Sequence, residues 1–451
     1  MKKPVCIVVS ICMGLFLCVG NAHADNNQPA TAKPSAFDRW YPLLNFHTTI
    51  TSLIKYPIDQ AIIFLEKKKA YAKVRHVYDR LTDYGVYPGF LGLDSENCYN
   101  DGVTFRHGVY QSVIVSSPMG VKYEKMVLDG DTAVSAWIQS HIFEASTDTG
   151  ARIGKSYLFG VEGLYTALTG RYQHYEKELF YGIGRHHSVA NDYTFSLEES
   201  SLDLVLGKEN IVPTIHGEIG IGISNINVLE GEKKGLHRID AYPAEQGQGI
   251  PGLGGANLLS YGGALMHDTR DNPTAPRAGS YEKIALTMNH GLDEEYDNFA
   301  YLKLRAEATR YVPLQAFFPS LQRDKVLVLR GVYERNTDFE NNTIPFFDLA
   351  RLDNKLVRGY DGNRYLDQGI LSFTVAYRYT IWRWKDYQTN ASLFYDFGWF
   401  FEDEAKMRFS DGKDSFGFSL RFIFPNSRVI SVEVAHSSED TECYIKFQPN
   451  F

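Results

Sequence analysis

The sequence is poor in cysteine, with 5 in 451 residues, and has no basic excess, with 46 Lys and Arg against 54 Asp and Glu. A small secreted domain held together by disulfides needs far more cysteine, and a nucleic-acid binder is expected to carry a basic surplus. Long apolar runs are also missing after residue 24. This excludes a protein with several transmembrane helices, each of which needs about 20 apolar residues.

Aromatic residues, in contrast, are abundant. The chain has 29 Tyr and 28 Phe but only 5 Trp, and its mean hydropathy is −0.27. A disordered chain would lack so many aromatic side chains. These values indicate a large, ordered protein.

Residues 1–24 have the three parts of a secretory signal peptide. Lys2 and Lys3 form the positive start, residues 5–20 are apolar, and residues 22–24 read Ala-His-Ala, a cleavage site of small residues. A membrane anchor is the alternative, but the apolar run is short for a span and ends in the cleavage pattern. Removal of this segment leaves Cys98 and Cys443 as the cysteines of the exported chain.

Residues 25–84 are predicted to be a periplasmic segment, a polar leader followed by an amphipathic helix over 57–81. Pro57 suits the first turn of that helix, and many Lys and Arg side chains make its non-apolar surface strongly basic. Two interpretations are open. The helix either docks on its own domain with a solvated basic face, or lies on an anionic membrane surface.

From residue 85 onwards the hydrophobic pattern has a period of two. In 370–382, for example, Phe373 and Val375 share one face and Thr374 lies on the other. This alternation is typical of strands with one apolar and one polar face. Such strands belong either to a soluble sandwich or to a transmembrane barrel, in which the apolar face contacts lipid.

Three observations favour the barrel. The alternating runs have the length of a tilted transmembrane strand, about 9–11 residues, and Tyr and Phe cluster at their ends, as in interfacial girdles. The chain is exported, and its last run places Phe447 and Phe451 on one face as a C-terminal assembly signal. We therefore predict an all-β fold, a transmembrane antiparallel β-barrel of 16 strands over 85–451 in the outer membrane of a Gram-negative-type bacterium, after a short N-terminal helical segment.

Five sequence blocks occur in the order found in the bacterial surface antigen family of outer-membrane barrels, the BamA/TamA type, and residues 85–451 resemble that family. The blocks are 85–88 with 102–108, 180–184, 268–273 with Gly279, 344–347 leading to 357–360, and 394–398. The resemblance implies a long loop that folds back into the lumen. Its motif consists of Val357, Arg358, Gly359 and Tyr360.

The resemblance also implies a partner for the loop arginine. In the family this arginine pairs with a strand aspartate, which here is Asp396, followed by Gly398. The pair either pins the loop or acts as a switch. Ala376 stands where the family commonly has a luminal Glu, so one luminal acid is expected to be missing. The third block contains a further family motif, formed by Asp268, Arg270, Asp271, Pro273 and Gly279.

By resemblance, the protein is expected to help proteins or lipids into or across the outer membrane. The expected partners are outer-membrane lipids, the general barrel-assembly machinery that inserts it, and a secreted or outer-membrane client, but no nucleic acid. A passive structural barrel or small-solute pore is the alternative, since 25–84 shows none of the repeated periplasmic modules of the assembly factors. Neither a catalytic set nor a metal or cofactor motif is recognisable, so an enzyme is not expected.

A disulfide between Cys98 and Cys443 is the first testable prediction. Cys98 precedes the first expected strand and Cys443 lies in the last, and these strands are neighbours in a closed barrel. The alternative is two separate thiols, with Cys443 facing lipid. In the unfolded protein, maleimide should label neither cysteine before reduction and both afterwards, and labelling of both without reduction would exclude the bridge.

Overall fold

The computed structural model describes residues 76–77, 80, 86–88, 103–106, 111–116, 120–127, 131–141, 146–184, 193–231, 236–242, 249–273, 275–292, 299–316, 324–339, 343–384, 387–424 and 429–447. The backbone at 76, 77 and 80 is helical, within the predicted helix 57–81. The signal peptide, most of the leader, Cys98 and Phe451 lie outside the described residues. In the described part of the chain, no helix combines the length and apolar character needed to span a membrane.

Most of the described backbone is β-strand. The strands are β1 Val86–Pro88, β2 Val103–Arg106, β3 Gln111–Ser116, β4 Gly120–Val127, β5 Thr132–His141, β6 Ser146–Lys155, β7 Leu164–Phe180, β8 Tyr193–Val212, β9 Ile215–Glu230, β10 His237–Arg238, β11 Ala256–Asp268, β12 Gly279–Gly291, β13 Ala300–Pro313, β14 Lys325–Asp338, β15 Ala350–Arg351, β16 Leu366–Asp367, β17 Gly369–Trp384, β18 Tyr387–Phe401, β19 Lys413–Ile423, β20 Val429–Ser437 and β21 Thr441–Phe447. Short 3₁₀ turns are Leu158–Gly160, Ile239–Ala241, Leu314–Ala316, Phe346–Asp348, Glu404–Lys406 and Phe409–Asp411.

The main sheet is an antiparallel meander in which each long strand pairs with the next long strand along the chain. Short β10 adds a parallel pairing to β8, and β15 and β16 form a separate two-stranded hairpin. Within the described residues, β1 pairs only with β2 and β21 only with β20, so no described hydrogen-bond ladder joins the first and last strands. The all-β antiparallel barrel class predicted from the sequence is confirmed, although these strands do not close the sheet.

Strand lengths differ from the expected 9–11 residues. From β3 to β21, sixteen described strands have six or more residues, and the longest, β8, has 20. At about 3.4 Å per residue, β8 is about twice as long as the hydrocarbon core of a bilayer, which is about 30 Å thick. The longest strands therefore extend beyond the region that contacts lipid.

The two faces of the main sheet, called here the wall, differ in exposure as the period-two hydrophobic pattern predicts. On β18, Leu393 is 53% exposed and Asp396 is fully buried, and on β17, Phe373 is exposed whereas Thr374 is buried. Aromatic residues at several strand ends, however, do not form an outer girdle. Phe180 and Tyr301 have no exposed surface and pack in an inward cluster with Phe346. The girdle interpretation is wrong for these residues because a loop inside the sheet covers them.

The sheet curls around this loop. The backbone N–H of Gly359 donates to the hydroxyl of Tyr444 on β21 at 2.8 Å, and Asn363 Nδ2 donates to Glu178 on β7 at 2.5 Å. In the order of paired strands, β7 and β21 lie at distant positions, and a flat sheet would separate them by about 50 Å at about 4.8 Å per strand. Four residues of loop span at most about 14 Å. The wall must therefore bend back on itself.

Because the outer face contacts lipid in the predicted barrel, a charge there should be destabilising. We expect Leu393→Arg, near the middle of β18, to lower the free energy of unfolding by about 2–4 kcal/mol. The measurement is urea-induced unfolding of the protein folded into lipid vesicles. The control is Leu393→Met, which keeps the size and the apolar character. An arginine variant as stable as the methionine variant would contradict a lipid-facing position.

Candidate functional site: the luminal loop

The loop between β14 and β17, described over 343–368 and called here the luminal loop, runs along the inner face of the sheet. The β15–β16 hairpin forms its base, and the backbone N–H of Leu352 donates to the Tyr365 carbonyl at 3.0 Å. Val357 N–H donates to the Asp353 carbonyl at 2.8 Å and begins the apex. The apex, 357–365, carries the predicted motif.

Arg358 is anchored to Asp396 by two parallel hydrogen bonds. Its Nε and Nη2 donate to Oδ2 and Oδ1 of Asp396 at 2.7 and 2.8 Å, and its guanidinium lies 3.3 Å from the centroid of the Phe394 ring. Thr374 Oγ1 donates to the same carboxylate at 2.9 Å. Both members of the ion pair are buried. The structure therefore contains the contact that the family resemblance implied, with the bidentate geometry that a guanidinium favours.

A second carboxylate, Glu433 on β20, also faces Arg358. Arg358 Nη1 lies 3.3 Å from Glu433 Oε2, and Lys446 Nζ on β21 donates to the same oxygen at 3.0 Å. Two cations thus face two carboxylates, which limits the energy lost on burying charge. The sequence interpretation noted the missing acid at Ala376 but did not assign this role to Glu433. The available signal was its position on the polar face of 430–434.

The motif glycines allow the loop to approach the wall closely. Gly359 has φ +88°, and a Cβ there would lie 3.2 Å from Ser437, whose hydroxyl donates to the Gly359 carbonyl at 2.7 Å. A Cβ on Gly398 would lie 2.5 Å from Leu352 and 3.1 Å from Val357. Tyr360 is buried, and its hydroxyl lies 3.1 Å from the Asp414 carbonyl. Only glycine at these two positions leaves room for this packing.

A second anchor attaches the apex to the turn between β20 and β21. Arg364 Nε and Nη2 donate to Glu439 at 2.6 and 3.0 Å, and the Tyr365 hydroxyl donates to the same carboxylate at 2.6 Å. Burial alone would raise the pKa of Glu439, but the hydrogen bonds from Arg364 and Tyr365 outweigh it and hold that pKa below its usual range. Sequence reasoning did not identify this anchor, because its partners are about 75 residues apart.

A third set of contacts holds the start of the loop. Asp348 accepts hydrogen bonds from the Tyr301 hydroxyl at 2.6 Å and from Lys303 Nζ at 2.8 Å, both on β13. The Asp348 carbonyl accepts from Asn336 Nδ2 on β14 at 2.7 Å. The luminal loop is therefore attached to strands on widely separated parts of the wall.

The motif around Asp268 lies elsewhere, in the turn between β11 and β12. Arg270 Nε and Nη2 donate to Asp268 at 2.9 and 2.6 Å, and Arg270 Nη1 donates to the Pro273 carbonyl at 3.0 Å. Asp271 accepts from the backbone N–H of residue 277 at 2.7 Å. Gly279 has φ +96°, and a Cβ would collide with the Thr269 carbonyl. These residues form a compact turn, and its Pro276 carbonyl accepts a hydrogen bond from Arg378 on β17.

The cysteine and C-terminal predictions stay untested. Cys443 lies opposite Val434 on β21 and is exposed on the outer face, whereas Cys98 is outside the described residues. Phe447 is the last residue of β21, and Phe451 is not described. Across the described ranges, no group of three or more His, Cys, Asp or Glu side chains is arranged to hold a metal ion.

A curled β-wall with a charged, inward-folded loop defines a class of membrane barrels, and the comparisons identify its family. A model of the Omp85 superfamily domain matches residues 163–448, and the chain belongs to this superfamily. The family resemblance predicted from the five sequence blocks is thus confirmed. No curated protein gives a significant match.

The comparison with solved structures supports the fold through one structure, that of a BamA protein. BamA from Haemophilus ducreyi, in a crystal structure lacking POTRA domains 1–3, is similar with a TM-score of 0.53 and 13% identity over 73% of this chain and 65% of that one. CdiB from Acinetobacter baumannii gives a TM-score of 0.43 and 11% identity over 76% of this chain. The chain spans 65% of the BamA structure and 56% of the CdiB structure. At 13% identity, the similarity to BamA shows a shared fold and nothing further.

The Glu439 anchor predicts a pH dependence. Since its pKa is lowered in the folded protein, its stabilisation is present above the usual carboxyl range and is lost as pH falls through the folded-state pKa. Glu439→Gln, which resembles the protonated form, should loosen the apex at neutral pH. We expect trypsin to cleave after Arg364 several-fold faster in this variant, because a hydrogen bond to a charged group contributes about 1.5–3 kcal/mol and partial exposure of Glu439 reduces that value.

The control for this prediction is Glu162→Gln, an exposed carboxylate in the turn before β7. It should leave cleavage after Arg364 unchanged. Wild-type cleavage rates in both variants would show that the Arg364–Glu439 contact does not hold the apex.

Proposed function

We propose that this protein assists the assembly of proteins into the outer membrane or their transfer across it. The observation that carries the proposal is the attachment of the luminal loop to β18 and β20 through Arg358, Asp396 and Glu433. Membership of the Omp85 superfamily supports the same general activity. Arg358 is proposed to hold the loop in place, and no catalytic step is assigned to it.

The loop is expected to have two discrete positions. Its buried ion pairs are favourable only when they are complete, and breaking a buried pair by removing one partner typically costs about 3–5 kcal/mol. Partial withdrawal of Arg358 would leave Asp396 buried without its cation. A loop that is either latched or released is therefore favoured over one that moves gradually.

The contacts of Arg358 with Asp396 and Glu433, called here the latch, lie near the end of the sheet. The apex contacts Ser437 at the end of β20 and Tyr444 on β21, the last described strand. An unpaired strand edge can accept an added strand through its backbone groups. We propose that the latched loop fixes the geometry of these last strands, so that a client strand can pair next to them.

The proposed surroundings follow from this role. The client is a secreted or outer-membrane protein, the outer wall contacts outer-membrane lipids, and the general barrel-assembly machinery inserts the protein after export by its signal peptide. The outer membrane is also the location that superfamily membership supports.

A small-solute pore is the second candidate, and one observation favours it. A cavity of about 1080 Å³ lies along β5 to β9, and its lining includes the charged residues Arg152, Lys208, Glu209 and Glu218. A polar inner cavity of this size is compatible with a water-filled passage. In this alternative the luminal loop restricts the pore and assists no client.

Removal of the latch tests the proposal. In lipid vesicles containing the purified protein, we expect Arg358→Ala to slow the insertion of an unfolded outer-membrane barrel at least tenfold. Loss of a buried partner costs about 3–5 kcal/mol, and about 1.4 kcal/mol already corresponds to a factor of ten in rate. Arg358→Lys should insert the client almost as slowly as Arg358→Ala, because an ammonium group cannot make the bidentate contact.

The matched control is Arg383→Ala, which removes an exposed arginine paired with Asp324 in another part of the wall. It should insert the client at the wild-type rate. Vesicles with wild-type protein that insert the client no faster than empty vesicles would refute the assembly role. Equal ion conductance in wild type and Arg358→Ala would further show that the loop does not restrict a pore.

A further inference from the structure

Two buried arginines, Arg378 on β17 and Arg421 on β19, have no role in the latch. They are 4% and 2% exposed. Within the described part of the chain neither forms a salt bridge, and Nε and Nη2 of Arg421 have no hydrogen-bond partner. Arg378 donates to the Pro276 carbonyl, and its guanidinium lies 5.6 Å from the centroid of the Tyr311 ring. The wall thus buries two positive charges without carboxylate partners in the described residues.

Both arginines line one small cavity on the inner face. Its volume is about 10 Å³, and its polar lining consists of Arg358, Arg378, Arg421, Ser392, Ser419 and Glu433. A cavity of about 10–15 Å³ holds roughly one water-sized particle. Three guanidinium groups therefore surround a space suited to a single small ion or molecule.

Glu433 does not neutralise the excess charge. Its carboxylate already faces Arg358 at 3.3 Å and Lys446 at 3.0 Å. Ala376 also lines the cavity but contributes only a methyl group. The remaining carboxylate of the latch, Asp396, is bound to Arg358. Asp271 and Glu433 favour the charged forms of Arg378 and Arg421 from a distance, but within the described residues neither acid forms a salt bridge with these arginines.

A buried charge without a partner is strongly unfavourable. Water can accept hydrogen bonds from the two free Arg421 nitrogens but cannot neutralise the charge, and a polyatomic anion such as phosphate is larger than the single water-sized particle that the cavity holds. We propose that this cavity binds a monatomic anion, chloride, between Arg378 and Arg421, where it accepts from Nε and Nη2 of Arg421. This inference holds whether or not the protein inserts clients.

Replacement of chloride tests the site without altering the chain. We expect the wild-type protein in detergent to have a higher Tm in chloride than in gluconate at equal ionic strength, because gluconate is too large for the cavity. Ligand binding to the folded state alone stabilises it by mass action, with about 2.7 kcal/mol at 100 times the dissociation constant. Arg421→Gln should lose this chloride response. A wild-type Tm that is equal in the two anions, or a full chloride response in Arg421→Gln, would overturn the proposal.

A second variant pair keeps every arginine in place. Ala376→Glu adds a carboxylate at the cavity, so it should abolish the chloride response. Ala376→Gln has nearly the same size without the charge and should melt below Ala376→Glu in gluconate. If the glutamate and glutamine variants melt at the same temperature in gluconate, the cavity does not require negative charge and the proposal fails.

Bromide provides a direct probe of position. In crystals of the full protein soaked in bromide, we expect an anomalous peak within hydrogen-bonding distance of Arg421 Nε and Nη2, which is absent from crystals of Arg421→Gln. A wild-type cavity without such a peak would show that no monatomic anion binds there.

Discussion

The bidentate contact between Arg358 and Asp396 is the constraint on which the interior depends. A guanidinium and a carboxylate that are both buried are stable only in a complete, well-aligned pair, and this pair fixes the apex of the luminal loop against β18. With the apex fixed, Leu352 and Val357 pack against Gly398, and Phe346 covers the aromatic ends of distant strands. One ion pair therefore fixes the apex of a loop that contacts strands on widely separated parts of the sheet.

Charge balance divides the interior into two regions. Around the latch, Arg358 and Lys446 face Asp396 and Glu433, so the buried charges compensate each other. Arg378 and Arg421 lie next to this cluster, and no carboxylate of the described residues forms a salt bridge with either. The difference arises because β17 presents only the methyl group of Ala376 to the cavity, whereas the carboxylate of Glu433 on β20 contacts Arg358 of the loop. Latching and anion binding are therefore adjacent but separate properties of the wall.

Much of the fold could be predicted from the alternation of apolar and polar residues alone. Thr374 and Asp396 were expected on the inner face because their neighbours Phe373 and Tyr395 are apolar, and the period of a strand is two. The same parity placed Glu433 inward but could not name its partner. The Arg364–Glu439 contact also escaped prediction, since its members are distant in the sequence and approach only when the sheet curls. Long-range partners depend on how the sheet curves as well as on its register, and the alternation along one strand does not specify that curvature.

The sequence by itself determined the antiparallel strands, their two faces, the family and the loop motif, because these depend on local alternation and short blocks of residues. Only the tertiary structure decided which aromatic residues turn inward, which acid joins Arg358 and which buried arginines form no salt bridge with the described carboxylates. The physical reason is that a side chain's environment inside a curled sheet is set by strands far away in the chain. Charge compensation is a property of that assembled interior.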